Sequence, residues 1–160
     1  MTAMVWHLAL AYRTPTLLLL GLILAALALL AARRTLHPLR LAQVLLQWFL
    51  LCCVGVEFVW VAALLALPLG AADWAHRQLG LAALGFAVTG VASAFGGVGM
   101  RLAALSGPTV WIVGGLLSQP AGRAGLWALP DLLVPVVGFL LLGWQYRAQR
   151  HRSVFARSRL

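Results

Sequence analysis

Hydrophobic residues form five long runs along the chain, and arginines, prolines or short polar stretches separate them. A transmembrane helix needs about 20 predominantly apolar residues to cross the ~30 Å hydrocarbon layer of a bilayer. The pattern therefore predicts an all-α fold, a polytopic transmembrane helix bundle with five membrane segments. These segments cover residues 15–32, 41–67, 79–99, 102–119 and 129–144.

Two parts of this pattern leave alternatives open. Gly107-Pro108 lies inside the fourth run, and proline removes a backbone N–H and disfavours helix at the residue before it. The fourth run is therefore either a crossing or a re-entrant segment, which would leave four crossings. Residues 1–12 predict a short amphipathic surface helix or a disordered end. The first run lacks a clearly basic start and is longer than the roughly 7–15-residue apolar region of a signal peptide, so we expect it to be retained.

The composition agrees with a lipid-embedded chain. Hydrophobic residues make up 63% and charged residues 9% of the sequence, against roughly 45–50% and 25% in soluble domains. The net charge of +9 comes from twelve basic residues, all of them arginine, and three acids. Because the arginines lie at the ends of uncharged runs rather than on a solvated face, the charge indicates membrane topology and not a nucleic-acid partner.

Arginine placement orients the predicted bundle, because short cytoplasmic loops collect basic residues. Five crossings with the amino terminus outside place nine arginines inside and leave Arg13, Arg77 and Arg123 in outer loops. We expect one domain over residues 1–146 and a basic cytoplasmic tail over 147–160. The tail anchors the topology or contacts anionic lipid or a partner through Arg147, Arg150, Arg152, Arg157 and Arg159.

Small residues at four-residue spacing predict where helices approach closely, because packing rather than water exclusion holds helices together in lipid. We expect a partner helix against the third segment, from the second or fourth segment or from another chain. The residues predicted to pack in this way are Gly85, Thr89, Ser93 and Gly97, with Gly114 and Ser118 in the fourth segment. Cys52 and Cys53 are adjacent on a helix and are interpreted as small packing residues, without a disulfide between them.

Glu57 lies near the middle of the second run, where a charge costs roughly 2.5–3.5 kcal/mol unless it faces protein or water. We expect it to face the bundle interior or a protein interface, as a protonated and hydrogen-bonded carboxyl, as the ion-pair partner of Arg77, Arg123 or His76, or as a functional group in an outward-open polar cavity. Asp131 follows a proline at a helix start, a position that suits capping. The predicted pocket residues, all on the outer half, are Glu57, Asp73, His76, Arg77, Gln119, Arg123 and Asp131.

No catalytic constellation is visible in the sequence. The four histidines lie outside the apolar runs or at their rims, and motifs for zinc proteases, serine hydrolases or phosphate-binding loops are absent. A metal site requires convergence of His76, Asp73 and Asp131, which we do not expect. The sequence therefore predicts neither a cofactor nor a metal.

Three stretches give the chain a resemblance to a known family. These are LLQWFLLCCVGVEF at residues 45–58, LGLAALGFAVTG at 79–90, and Asp131-Leu132-Leu133 before the last apolar run. They resemble a small bacterial inner-membrane family known only as a domain of unknown function. This chain departs from that family in a less polar segment before the third run and in Gln119, where the family often has histidine. The resemblance implies the bundle and its membrane, and no activity.

The leading hypothesis is an inner-membrane protein that acts through helix contacts, with lipids and either other membrane subunits or further copies as partners. Such a protein is an accessory or assembly subunit, or a small homo-oligomer. The alternative is a small-solute transporter or receptor with its pocket around Glu57. A membrane enzyme acting on lipid or quinone is the third hypothesis.

Overall fold

A computed structural model describes residues 2–31, 37–66, 74–118 and 129–157, with side chains over 13–31, 37–65, 74–118 except His76, and 131–150. These residues form five helices and no strand, which confirms the all-α prediction. The first, third, fourth and fifth helices are Thr2–Ala31, Trp74–Ala94, Val98–Leu117 and Leu129–Arg157. The second is continuous over 38–66 and comprises α-helix Pro38–Phe49, π-helix Leu50–Val56 and α-helix Glu57–Ala66.

The first helix begins well before its apolar run. It continues through Pro15 over 30 residues, so residues 2–12 extend the same helix and form no separate surface helix. The Thr16 hydroxyl donates to the Arg13 carbonyl oxygen at 2.7 Å, beside the proline that lacks an N–H. As a consequence, Arg13 and Thr14 lie within a helix and not in a loop ahead of it.

Neighbouring helices run antiparallel along the bundle. Thr14 meets Glu57 and Gly21 meets Cys52, which pairs the first helix with the second. The same reversal of order relates the second helix to the third, the third to the fourth and the fourth to the fifth. The second helix lies at the centre and packs against all four others. It supplies much of the core, including Leu46, Leu50 and Val54, each fully buried.

The second and third helices meet through small residues at alternating three- and four-residue spacing. These residues on the third helix are Gly80, Ala83, Ala87, Gly90 and Ala94, all buried. A Cβ built on Gly90 would lie 2.9 Å from the Gly55 backbone nitrogen, so the two backbones nearly touch there.

The predicted small-residue stripe is therefore displaced from the helix contact that forms. Ser93 is fully buried, whereas Gly85, Thr89 and Gly97 are exposed. A Cβ on Gly85 or Gly97 would meet no described atom within 4 Å. The physical reason is that a strict four-residue spacing drifts around an α-helix of 3.6 residues per turn, whereas a three–four alternation keeps to one face.

The fourth helix is unbroken at Gly107-Pro108. It runs over 20 residues with Pro108 buried inside it. Gly107 faces the ring of Phe86, whose Cε1 would lie 2.7 Å from an added Cβ. The fourth run is therefore a single long helix instead of two pieces joined by a turn, which favours a crossing over a re-entrant segment.

Three helices in the described parts of the chain are long and apolar enough to cross a membrane. They cover Arg13–Ala31, Pro38–Leu65 and Val98–Leu117. Large apolar side chains also cover the outside of the bundle: Leu81, Val88, Val110, Leu117 and Leu140 are each more than 60% exposed. Such a surface suits lipid rather than water, and together with the three long apolar helices it indicates a helical membrane protein. Cys52 and Cys53 are buried free thiols, which confirms their packing role.

Candidate functional site

The candidate site begins with the π-helical part of the second helix. The backbone N–H of Glu57 donates to the carbonyl oxygen of Cys52, five residues earlier, as in a π-helical turn. Such turns occur mostly as insertions in α-helices and frequently lie at functional sites. Glu57 is 7% exposed, so the central helix holds an ionisable group inside the bundle.

The hydroxyl of Thr14 lies between two carboxyl groups. Its oxygen is 3.2 Å from Oε1 of Glu57 and 2.7 Å from Oδ1 of Asp131. Thr14 itself is 3% exposed. One side chain from each of the first, second and fifth helices thus meets at one point.

Arg13 adds a positive charge to this group. Its Nε lies 3.5 Å from Oε1 of Glu57, with the Arg13 side chain 26% exposed. The second carboxyl oxygen of Glu57, Oε2, is buried and has no hydrogen-bond partner among the described residues. A buried unpartnered oxygen is uncommon in folded proteins and requires an explanation. We call Arg13, Thr14, Glu57 and Asp131 the Glu57 cluster.

Two small cavities flank the Glu57 cluster. One of about 170 Å³ is lined by Arg13, Glu57 and Asp131 together with Trp111 and Phe58. The other, of about 210 Å³, lies between the first two helices and is lined by Arg13, Glu57 and Trp60 among others. Both fall below the roughly 300–1,000 Å³ of pockets for drug-sized ligands, so they suit a small group.

Three aromatic rings form one wall beside the Glu57 cluster. Phe58, Phe86 and Trp111 pack edge to face, with ring centroids 5.4 to 6.4 Å apart. Edge-to-face pairs of this kind stabilise a structure by about 0.5–1.5 kcal/mol beyond their buried area. Because Phe58 and Trp111 also line the 170 Å³ cavity, this trio fixes one side of it.

The structure brings together two of the predicted pocket residues, Glu57 and Asp131. Arg77 is exposed, and the ion pair of Glu57 is formed with Arg13 instead. Asp131 accepts a hydrogen bond from Thr14 on the first helix. The remaining predicted pocket residues lie outside the described residues: Asp73, Gln119, Arg123 and the side chain of His76.

Sequence reasoning missed Arg13 and Thr14 because it began the first helix at Pro15. Arg13 was then a loop residue that marked topology, like Arg77. A signal was available in the sequence: Arg13 lies just ahead of the first apolar run and Asp131 lies in the first turn of the fifth. Both positions belong to the outer ends of the helices in a five-crossing topology.

A second buried charge lies at the other end of the bundle. Arg101, 6% exposed, donates to the carbonyl oxygens of Ser93 and Ala94 at 3.3 and 3.0 Å. It also donates to Oε1 of Gln145 at 2.9 Å, which links the fourth helix to the fifth. Carbonyls at a helix C-terminus carry partial negative charge, so the guanidinium both caps the third helix and complements its dipole.

The other predicted residues lie on the outside of the bundle or beyond the described side chains. Gly114 and Ser118 are exposed, and the Ser118 hydroxyl donates to the Gly115 carbonyl. Arg147 and Arg150 are exposed, with Arg150 above the Tyr146 ring at 5.4 Å. The side chains of Arg152, Arg157 and Arg159 are outside the described residues.

The chemistry available to the Glu57 cluster is the binding of positive charge. With both carboxyl groups ionised, they and the guanidinium would sum to a charge of −1, in a low-dielectric interior in which an unbalanced charge is costly. One proton or one monovalent cation would balance that charge. No group of three or more potential metal ligands occurs among the described residues.

Comparison with known proteins places the chain in one family. No curated protein and no solved structure matches the chain. A family model matches residues 12–151, which includes the whole Glu57 cluster and the Arg101–Gln145 contact. The resemblance expected from the sequence is confirmed to this extent: the chain belongs to the family of unknown function DUF6790.

Proposed function

We propose that this protein crosses the bacterial inner membrane five times and binds the cationic group of a small solute at the Glu57 cluster. The observation that carries the proposal is the Oε2 atom of Glu57, buried, without a partner and beside two cavities. A donor or cation placed there would satisfy this oxygen. The role is that of a solute receptor or transporter.

The antiparallel packing supports the proposed five crossings. The third helix lies along the second over most of its length, with Gly80 near Leu65 and Gly90 near Val54. The fifth helix meets the fourth at Gly138 and Leu105. Since the second and fourth helices are themselves long enough to span a bilayer, helices packed alongside them occupy the same layer.

The proposed orientation has the amino terminus outside and the carboxy terminus in the cytoplasm. It places nine arginines inside and three outside, in line with the excess of basic residues in short cytoplasmic loops. A membrane-impermeant label applied to intact cells should not reach a tag fused after Leu160. Labelling of that tag from outside would contradict this orientation and the proposed side on which the Glu57 cluster opens.

The size, charge and wall of the 170 Å³ cavity define the ligand class. The charge of −1 on the ionised cluster matches one positive charge. Trp111 and Phe58 supply aromatic surface, which attracts organic ammonium groups by about 0.5–2 kcal/mol when desolvated. We therefore expect a small ammonium compound to bind in preference to a bare sodium ion.

The test measures thermal stability of the purified protein in lipid nanodiscs with tetramethylammonium chloride or sodium chloride. A ligand that binds the folded state stabilises it by about 2.7 kcal/mol at one hundred times its Kd. We expect tetramethylammonium to raise the unfolding temperature of the wild type and of Arg77→Gln, an exposed control, but not of Glu57→Gln. No rise in the wild type, or an equal rise in Glu57→Gln, overturns the proposal.

The exposed small residues favour a second function, assembly with another chain. Gly85 and Thr89 lie on an outer face of the third helix, Gly97 is exposed just ahead of the fourth helix and Gly114 is exposed on the fourth, whereas helix faces that meet lipid usually carry larger side chains. An accessory subunit would contact its partner through them. Native mass analysis in mild detergent tests this: stoichiometric foreign chains or a defined oligomer, lost in Gly85→Leu, support it, and a monomer contradicts it.

A further inference from the structure

The hydroxyl of Thr14 has one hydrogen and two carboxyl neighbours. It can make one full hydrogen bond, to Oε1 of Glu57 or to Oδ1 of Asp131, and one hydrogen shared between the two oxygens would make two weaker contacts. The 2.7 Å contact with Asp131 has the ordinary length of a hydrogen bond between oxygens, and the 3.2 Å contact with Glu57 is longer. Both contacts become full hydrogen bonds when one carboxyl is protonated and donates to Thr14, which then donates to the other.

The charges around this hydroxyl favour the same arrangement. Because both carboxyl oxygens contact one hydroxyl oxygen, they lie no more than about 6 Å apart. Two carboxylates this close disfavour simultaneous ionisation. The groups that face them are Arg13, which balances one negative charge, and the thiol of Cys53 one turn earlier on the second helix.

We propose that Glu57 and Asp131 hold one proton between them through the Thr14 hydroxyl, which makes the cluster a proton-binding site. With that proton bound, the pair carries −1 and Arg13 carries +1, so the cluster is neutral inside the membrane. The proton belongs to the pair, because Thr14 can relay it in either direction. This inference goes beyond solute binding and stands without it.

A link between the two ligands rests on the proposed function. A cation that enters the cavity meets a neutral cluster and gains full attraction only if the proton leaves. The step is an exchange: one monovalent cation binds as one proton passes to the water outside, so charge is conserved. Proton and solute then compete for the same pair of carboxyls.

The chain is well suited to infrared spectroscopy, because it contains only three acidic side chains. The carbonyl stretch of a protonated carboxylic acid is separate from the bands of a carboxylate. In nanodiscs at neutral pH we expect the wild type to show this acid band and both Glu57→Gln and Asp131→Asn to lose it, because a single remaining carboxylate no longer needs the shared proton. Asp73→Asn is the matched control and should retain the band.

Variants of Thr14 test the relay itself. Thr14→Ser retains a hydroxyl and should leave the acid band in place. Thr14→Val has nearly the same shape without the hydroxyl, so the band should shift to the higher frequency of an acid without that hydrogen bond. An absent acid band in the folded wild type overturns the inference, as does a band that persists in both Glu57→Gln and Asp131→Asn or an unshifted band in Thr14→Val.

Addition of tetramethylammonium chloride to weakly buffered protein separates the two proposals. Release of up to one proton per chain, read with a pH dye, supports both. An acid band without tetramethylammonium binding preserves the proton site and defeats the solute proposal. Tetramethylammonium binding to a protein without the acid band supports the solute proposal and overturns the proton site.

Discussion

Gly90 is the glycine at which an added methyl group should destabilise the protein most. In Gly90→Ala the new Cβ would lie 2.8 Å from Cγ1 of Val54 and 2.9 Å from the backbone nitrogen of Gly55. The second of these atoms belongs to the backbone of the central helix and cannot rotate away. The second and third helices must therefore separate.

The size of the effect follows from these distances. Carbon atoms in contact lie about 3.5 Å apart, so a gap of 2.8 Å falls short by about 0.7 Å. A radial separation of 0.5–1 Å forfeits roughly a quarter to a half of each dispersion contact, and overpacking of this kind costs about 1–3 kcal/mol. Alanine favours a helix over glycine by at most about 1 kcal/mol, which offsets part of the cost.

Gly85 provides the control on the same helix. A Cβ there meets no described atom within 4 Å, so Gly85→Ala has the same gain in helix propensity without the overlap. The difference between the two variants cancels that gain and isolates the packing cost. We expect Gly90→Ala to be less stable than Gly85→Ala by about 1–3 kcal/mol.

The assay uses the two cysteines of the chain, both buried. A dye that becomes fluorescent on reaction with thiols reports their exposure as the protein is unfolded in mixed detergent micelles, with no engineered probe. Equal stability of Gly90→Ala and Gly85→Ala would refute the close approach of the second and third helices.

Three further outcomes follow from the packing and can be measured with the same protein. Arg101→Lys should lower the free energy of unfolding by about 2 kcal/mol or more, because a lysine ammonium cannot reach the three acceptors of Arg101 at once. Arg77→Lys on the exposed surface is the control and should change it little. Equal effects of the two substitutions would contradict the capping of the third helix by Arg101. Cys52 and Cys53 should resist maleimide in folded protein and react in SDS, and rapid labelling of the native protein would show that they are not core residues. Gly138→Ala places a Cβ 2.7 Å from Cδ2 of Leu105 and 3.0 Å from Cε1 of Phe49, which are side-chain atoms and can shift where the Gly55 backbone cannot. Its cost, about 1 kcal/mol, should therefore be smaller than that of Gly90→Ala, and the reverse order would argue against the close Gly55–Gly90 contact.

Much of the fold could be predicted from the apolar runs. Hydrocarbon thickness sets the length of each helix, so the five runs correspond to five helices and their order is visible in the sequence. The pattern is less informative at Pro15, where it places the start of the first segment, and at Pro108, where it leaves the fourth segment open between a crossing and a re-entrant segment. Pro15 and Pro108 lie inside helices instead, since neighbouring helices and local hydroxyl groups support the backbone around a proline in the membrane.

The site was predicted in part, for a related reason. Glu57 and Asp131 are costly in lipid and therefore conspicuous in a sequence, and the structure brings them together. Thr14 is inconspicuous in a sequence, because a threonine hydroxyl is cheap to bury against its own helix. Its position between the carboxyls depends on which face of the first helix meets the second, and the first apolar run is too uniform to reveal that face.

The distribution of polar side chains has an electrical consequence. The Glu57 cluster and the Arg101–Gln145 contact lie toward opposite ends, and the stretch of the fifth helix from Asp131 to Gln145 is about 21 Å long at 1.5 Å per residue. Leu46, Leu50, Leu105 and Val134 fill the interior between them. A bare ion in such a medium faces a barrier on the order of tens of kcal/mol, so the described side chains offer it no polar route from the Glu57 cluster to the Arg101–Gln145 contact, and conduction between the two would require the helices to part.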